Sequence, residues 1–103
     1  MEVLDHEPQL WFLVGEKDSL LFEVTCSHGA VDYIVTLALN DAERQAYAAR
    51  GHAYLNELAE AIHFSAPGVR GSVSPYRDRK LDSLRSNRVS EAVRDWLKRP
   101  EHL

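Results

Sequence analysis

Cys26-Ser27-His28 places a thiol and an imidazole two positions apart. A nucleophilic cysteine needs a base to make its thiolate, and histidine is the usual one. A small enzyme using Cys26 and His28 is therefore one function class to weigh. Against it, Cys26 belongs to the alternating set Leu20, Phe22, Val24, Cys26, and free cysteine is among the most buried residue types. No third group that would orient the imidazole is evident. The pair reads better as an apolar cysteine beside a turn histidine, and the chain as a non-enzyme.

Glu60 and His63 form an E-x-x-H pair on one predicted helix. Carboxylate-bridged metal sites use that spacing, but they need two such pairs and two further carboxylates. Only one pair is present. His52 and His63 lie roughly three helical turns apart, too far to share one ion. The single cysteine excludes an intramolecular disulfide and a cysteine-built zinc site. No cofactor or metal is expected.

Arg70, Arg77, Arg79 and Lys80 cluster with Tyr76 in a segment rich in proline and glycine. Arginines on a loop clamp phosphate or carboxylate through two parallel hydrogen bonds, and tyrosine beside arginine is the composition of interface hot spots. Asp78 and Asp82 sit among these cations and can pair with them. No glycine-rich phosphate loop of standard spacing exists. Ser72 and Ser74-Pro75 are candidate modification sites. Trp11 and Trp96 read as core or near-core, with an exposed aromatic anchor as the alternative.

Charge is divided along the chain. Residues 1–63 hold three basic groups against eleven acids, a balance of −8. Residues 64–103 hold nine against five, a balance of +4, which brings the whole to −4. Such asymmetry marks either a charged partner or two halves that neutralise each other. Five of the first-half acids (Glu2, Asp5, Glu7, Glu16 and Asp18) fall in expected loops. The candidate partner-binding residues are accordingly Glu16 and Asp18 on the acidic side and Arg70, Tyr76, Arg77 and Arg79 on the basic side. A mildly acidic chain is a poor nonspecific nucleic-acid binder. A nucleic-acid or anion-binding domain using Arg70, Arg77, Arg79, Lys80, Arg85 and Arg88 stays as an alternative.

The elements that must position these residues follow from periodicity. The 103 residues make one α+β domain. Residues 1–8 read as a loose leader ended by Pro8. Gln9–Val14 is a short apolar run, hence a buried strand. Residues 15–18 form a turn, and Ser19–Cys26 alternates as a second strand. Ser27-His28-Gly29 suits a hairpin loop with Gly29 at a positive φ. A third strand spans 30–39, with Val31, Tyr33, Val35, Leu37 and Leu39 on one face. The expectation is a three-stranded antiparallel meander, with a fourth short strand around 69–73 as an option.

Asn40 followed by Glu43 is a capping box. It opens a helix from Asp41 to about His63, roughly 34 Å if unbroken, whose buried stripe runs Tyr47, Gly51, Tyr54, Leu55, Leu58, Ile62. Gly51 inside that stripe marks a kink, a close approach to the sheet or a tolerated glycine. Residues 64–80 are a basic loop, and 78–84 allow a helical turn. A shorter helix spans about 89–99, with Pro100 beyond it. It is expected to pack alongside the long helix.

No apolar stretch approaches the ~20 residues of a membrane helix, and the acidic start lacks the basic and apolar regions of a signal peptide. These features point to a cytoplasmic protein. The leading functional expectation is a protein-binding module. One concrete case is a bacterial inhibitor or immunity-type protein that masks a basic toxin or enzyme. A homodimer through a sheet edge is a second mode of association.

Overall fold

The segment expected to be a loose leader is a strand. The structure, a computed structural model, describes residues 1–28, 31–65, 67–69, 71 and 73–99, without the side chains of His28 and Val31. It contains β1 (Glu2–Glu7), β2 (Trp11–Glu16), β3 (Ser19–His28) and β4 (Val31–Ala38). They form one sheet in the order β1-β2-β3-β4, antiparallel throughout. The fourth strand thus comes from the N-terminal segment, and the described residues between 69 and 73 are not strand. The turn expected at 15–18 tightens to Lys17-Asp18, with Lys17 at φ 54°. Ser27 and His28, expected in the next turn, instead continue β3 and pair with Asp32 and Val31, and Gly29 lies outside the described residues.

The alternation of β1 is masked in the sequence because its period is interrupted. Val3 pairs with Val14, but Asp5 pairs with Leu13, which leaves Leu4 as an extra residue. Such a bulge moves every later side chain to the opposite face. Val3 therefore lies on the face of Val14, whereas Asp5 and Glu7 lie on the face of Leu13 and Trp11. Antiparallel pairing also sets Glu2 opposite Gly15 and Glu7 opposite Trp11, so the strand spreads its acids along the sheet.

Alternation divides the sheet into two buried faces. Trp11, Leu13, Phe22, Val24, Cys26, Val35 and Leu37 join one core with Leu55, Leu58, Ala59 and Ile62. Those four belong to α2 (His52–Ser65), which follows α1 (Asp41–Arg50). Val14 and Leu21 join a second core with Val89 and Val93 of α3 (Ser83–Leu97). The C-terminal helix thus packs on the opposite face from α2 and not alongside it. Each fully buried Leu, Ile or Phe in these cores stabilises the fold by roughly 1.5–3 kcal/mol, so both helices are held chiefly by the sheet.

The single long helix is two. Asn40 and Glu43 complete the capping box: Asn40 Oδ1 accepts from Glu43 N at 2.8 Å, and Glu43 Oε1 accepts from Asn40 N at 2.9 Å. Gly51 ends α1 at φ 66°, ψ −144°, a conformation essentially reserved for glycine. No atom would meet a Cβ there within 4 Å, so the backbone angle, and not a close approach, requires the glycine. α3 begins earlier than expected because Asp82 caps it, accepting from Arg85 N at 2.8 Å. The helical turn expected at 78–84 is instead a 3-10 turn at Arg77–Arg79. Lys80 then bridges to Leu37, and Leu81 N–H donates to Thr36 O at 2.8 Å. The outer edge of β4 is covered there, while the bulge interrupts β1 at the other edge of the sheet.

Candidate functional site

The two charged halves meet inside the molecule. Arg79 donates to both carboxylate oxygens of Glu43, at 2.9 and 2.6 Å, and to Ala38 O at 3.0 Å. Burial works to raise the Glu43 pKa; the Arg79 guanidinium and the Asn40 N–H outweigh it and hold the carboxyl below its ordinary value. The 3-10 turn is thereby tied to the start of α1. Arg85 and Arg88 of α3 both reach Glu16, at 3.4 and 3.1 Å. Arg79 and Glu16, two of the candidate partner-binding residues, are thus engaged within the chain.

The remaining candidates do not gather into one surface. Tyr76 packs against the main core under the Arg79 guanidinium. Arg77 is exposed and donates to Val69 O at 3.2 Å. Asp18 is exposed and its carbonyl accepts from Arg44. Arg70 and Ser72 lie outside the described residues. Ser74 is buried, with its Oγ 2.6 Å from Ser65 Oγ.

The thiol of Cys26 is fully enclosed in the main core. Burial pushes its pKa up, against a lowering hydrogen bond with Tyr33. That is the opposite of what activates a nucleophile. The His28 side chain lies outside the described residues. Of the E-x-x-H pair, His63 Nδ1 accepts the backbone N–H of Ser27 at 3.4 Å. No cluster of metal-ligating side chains occurs among the described residues.

A polar cluster that sequence reasoning missed joins β1 to the start of α2. His52 Nδ1 lies 2.9 Å from Asp5 Oδ1, and Nε2 lies 3.2 Å from Glu7 Oε2. Tyr47 donates to Asp5 Oδ2 at 3.4 Å. The imidazole also rests on the Trp11 ring, with centroids 4.8 Å apart. The hydrogen bond to Asp5 is the largest cause raising the His52 pKa; desolvation opposes it, and Glu7 adds to the rise. Satisfying both carboxylates requires both ring nitrogens to carry protons. The only sequence signal was the i, i+2 placement of Asp5 and Glu7, and the bulge at Leu4 is what turns them toward α2.

A second missed feature is an apolar groove of about 240 Å³ between the β1–β2 turn and α2. Trp11, Val24 and Ala59 are its buried lining, and Leu10, Phe64, Asn56, Glu60, His63 and Thr25 complete it. Leu10 is 53 % exposed and Phe64 77 %. Phe64 stands edge-on to His63, with centroids 5.3 Å apart. Trp11 is fixed by donating Nε1–H to Asn56 Oδ1 at 2.9 Å. The groove draws on β2, β3, α2 and the turn before β2, so no local motif announces it.

Compared with known protein families, with characterised proteins and with solved structures, the chain matches none.

Proposed function

We propose that this chain is a non-enzymatic protein-binding module that engages its partner through the groove at Trp11. The carrying observation is the exposure of Phe64 and Leu10 beside a buried aromatic lining. Small-molecule pockets typically enclose about 300–1,000 Å³. A groove of about 240 Å³ is nearer the scale of one anchoring side chain. Aromatic anchors seated in such depressions carry most of the affinity at protein interfaces. The excess of acids supports a basic partner, as an inhibitor or immunity-type protein would mask, because complementary charge speeds encounter. The reading extends to a reducing compartment such as the cytoplasm, where Cys26 stays a thiol.

The same geometry lends less support to nucleic-acid binding, because Arg79, Arg85 and Arg88 already hold carboxylates within the chain. Affinity capture from extracts of the source cells, with the unaltered chain and Phe64→Ser in parallel, tests the proposal. A partner retained by the unaltered chain, lost by Phe64→Ser and reconstituted from purified components is the expected result. A partner held equally by both proteins would sink the assignment of the groove.

A further inference from the structure

On the strength of that reading, we infer that the segment filling the groove is apolar at its anchor and cationic beside it. The only acidic or basic side chain among the nine lining residues, histidine aside, is Glu60. Glu60 is exposed and has no ion-pair partner among the described residues. This contrasts with Glu16 and Glu43, whose carboxylates are already taken by arginines. An incoming Lys or Arg therefore has an available carboxylate at the groove, whereas an acidic segment would meet repulsion. Asn56 adds a directional contact. Its Oδ1 accepts from Trp11, and its amide N–H groups have no acceptor among the described residues, so they are available to a backbone carbonyl of the segment.

The same carboxylate argues against a second copy as the occupant. Glu60 and Phe64 are four apart on α2 and so share a helix face. Two copies exchanging Phe64 about a two-fold axis would bring Glu60 of each toward the groove that carries the same carboxylate of the other. Like charges would then be pressed together at a partly desolvated interface, which costs affinity.

Panning a phage-displayed library of random short peptides against the folded chain tests the inference. Enriched sequences should share an aromatic or branched aliphatic residue close to a Lys or Arg. A synthetic copy of an enriched peptide should bind Phe64→Ser and Ala59→Phe roughly tenfold or more weakly, the scale of losing an interface anchor. Phe64 is exposed, so Phe64→Ser remains informative if Ala59→Phe fails to fold. Glu60→Gln should weaken binding about two- to fivefold, the scale of one exposed ion pair, and reduce its salt dependence. Enriched peptides without a cation, or bound equally by Glu60→Gln, would overturn the cationic assignment while the groove itself stands. Peptides bound equally by all three variants, or no enrichment, would overturn the inference, and the capture experiment then judges the groove separately. Self-association of the unaltered chain that Phe64→Ser abolishes in sedimentation would put a second copy in the groove and overturn it too.

Discussion

His52 and Glu23 carry the pH response of individual residues. His52 is raised above its ordinary 6.5 by Asp5 and Glu7. Its contribution is full below the unfolded value and is lost as pH rises through the folded one. Thermal unfolding should therefore show a stability step declining upward from about pH 6.5, and His52→Gln should flatten it. Glu23 behaves differently. It is 5 % exposed beneath α3 and accepts from Ser90 Oγ at 2.8 Å. Burial raises its pKa above the ordinary 4.5, although Ser90 and Arg94 lower it. Its ionised form is disfavoured by folding, so its destabilisation is absent below the unfolded pKa and grows as pH rises through the folded one. Glu23→Gln, which keeps an acceptor for Ser90, should raise the neutral-pH melting temperature relative to acid; an unchanged or lowered temperature would contradict this. Neither role was legible from residue type alone. Glu23 alternates as an outward strand position should, and only α3 arriving on that face buries it.

At the scale of elements, Gly51 separates two accounts of the helical region. Inside one continuous helix, Gly51→Ala would stabilise by about 1 kcal/mol. At the observed φ of 66° and ψ of −144°, it should instead destabilise by about 1–3 kcal/mol, all of it backbone strain. Urea unfolding decides by the sign alone. The capping box at Asn40 and Glu43 was legible because its signal is local: two side chains three apart answering two backbone N–H groups. The alternation of Phe22, Val24 and Cys26, and of Val35 and Leu37, was legible for the same reason. β1 was not, because Leu4 breaks the period and half of the strand's residues are acids. The start of α3 was not, because its first turns bury little and Asp82 works as a cap only once the chain turns there.

At the scale of the molecule, one sheet carries two cores, with Trp11 in the α2 core and Trp96 against His6 and Phe12 on the α3 face. The sheet is common to both, so neither layer should melt alone. Trp96→Phe leaves Trp11 as the sole indole. Its fluorescence midpoint should coincide with the far-ultraviolet dichroism midpoint, and a separate earlier transition would show that the layers are independent. The sequence by itself determined what depends on neighbours a few positions apart: three of the strands, the α1 cap and the existence of a C-terminal helix. Long-range geometry decided the rest. The Leu4 bulge chose the face that receives Asp5 and Glu7, and α3 crossed to the far side of the sheet. Arg79, Arg85 and Arg88 found the first-half carboxylates of Glu43 and Glu16, so part of the charge divided along the chain is neutralised within the molecule. The groove at Trp11 exists because β2, β3 and α2 meet there, and side chains distant in sequence become one surface only when burial of both sheet faces brings those elements together.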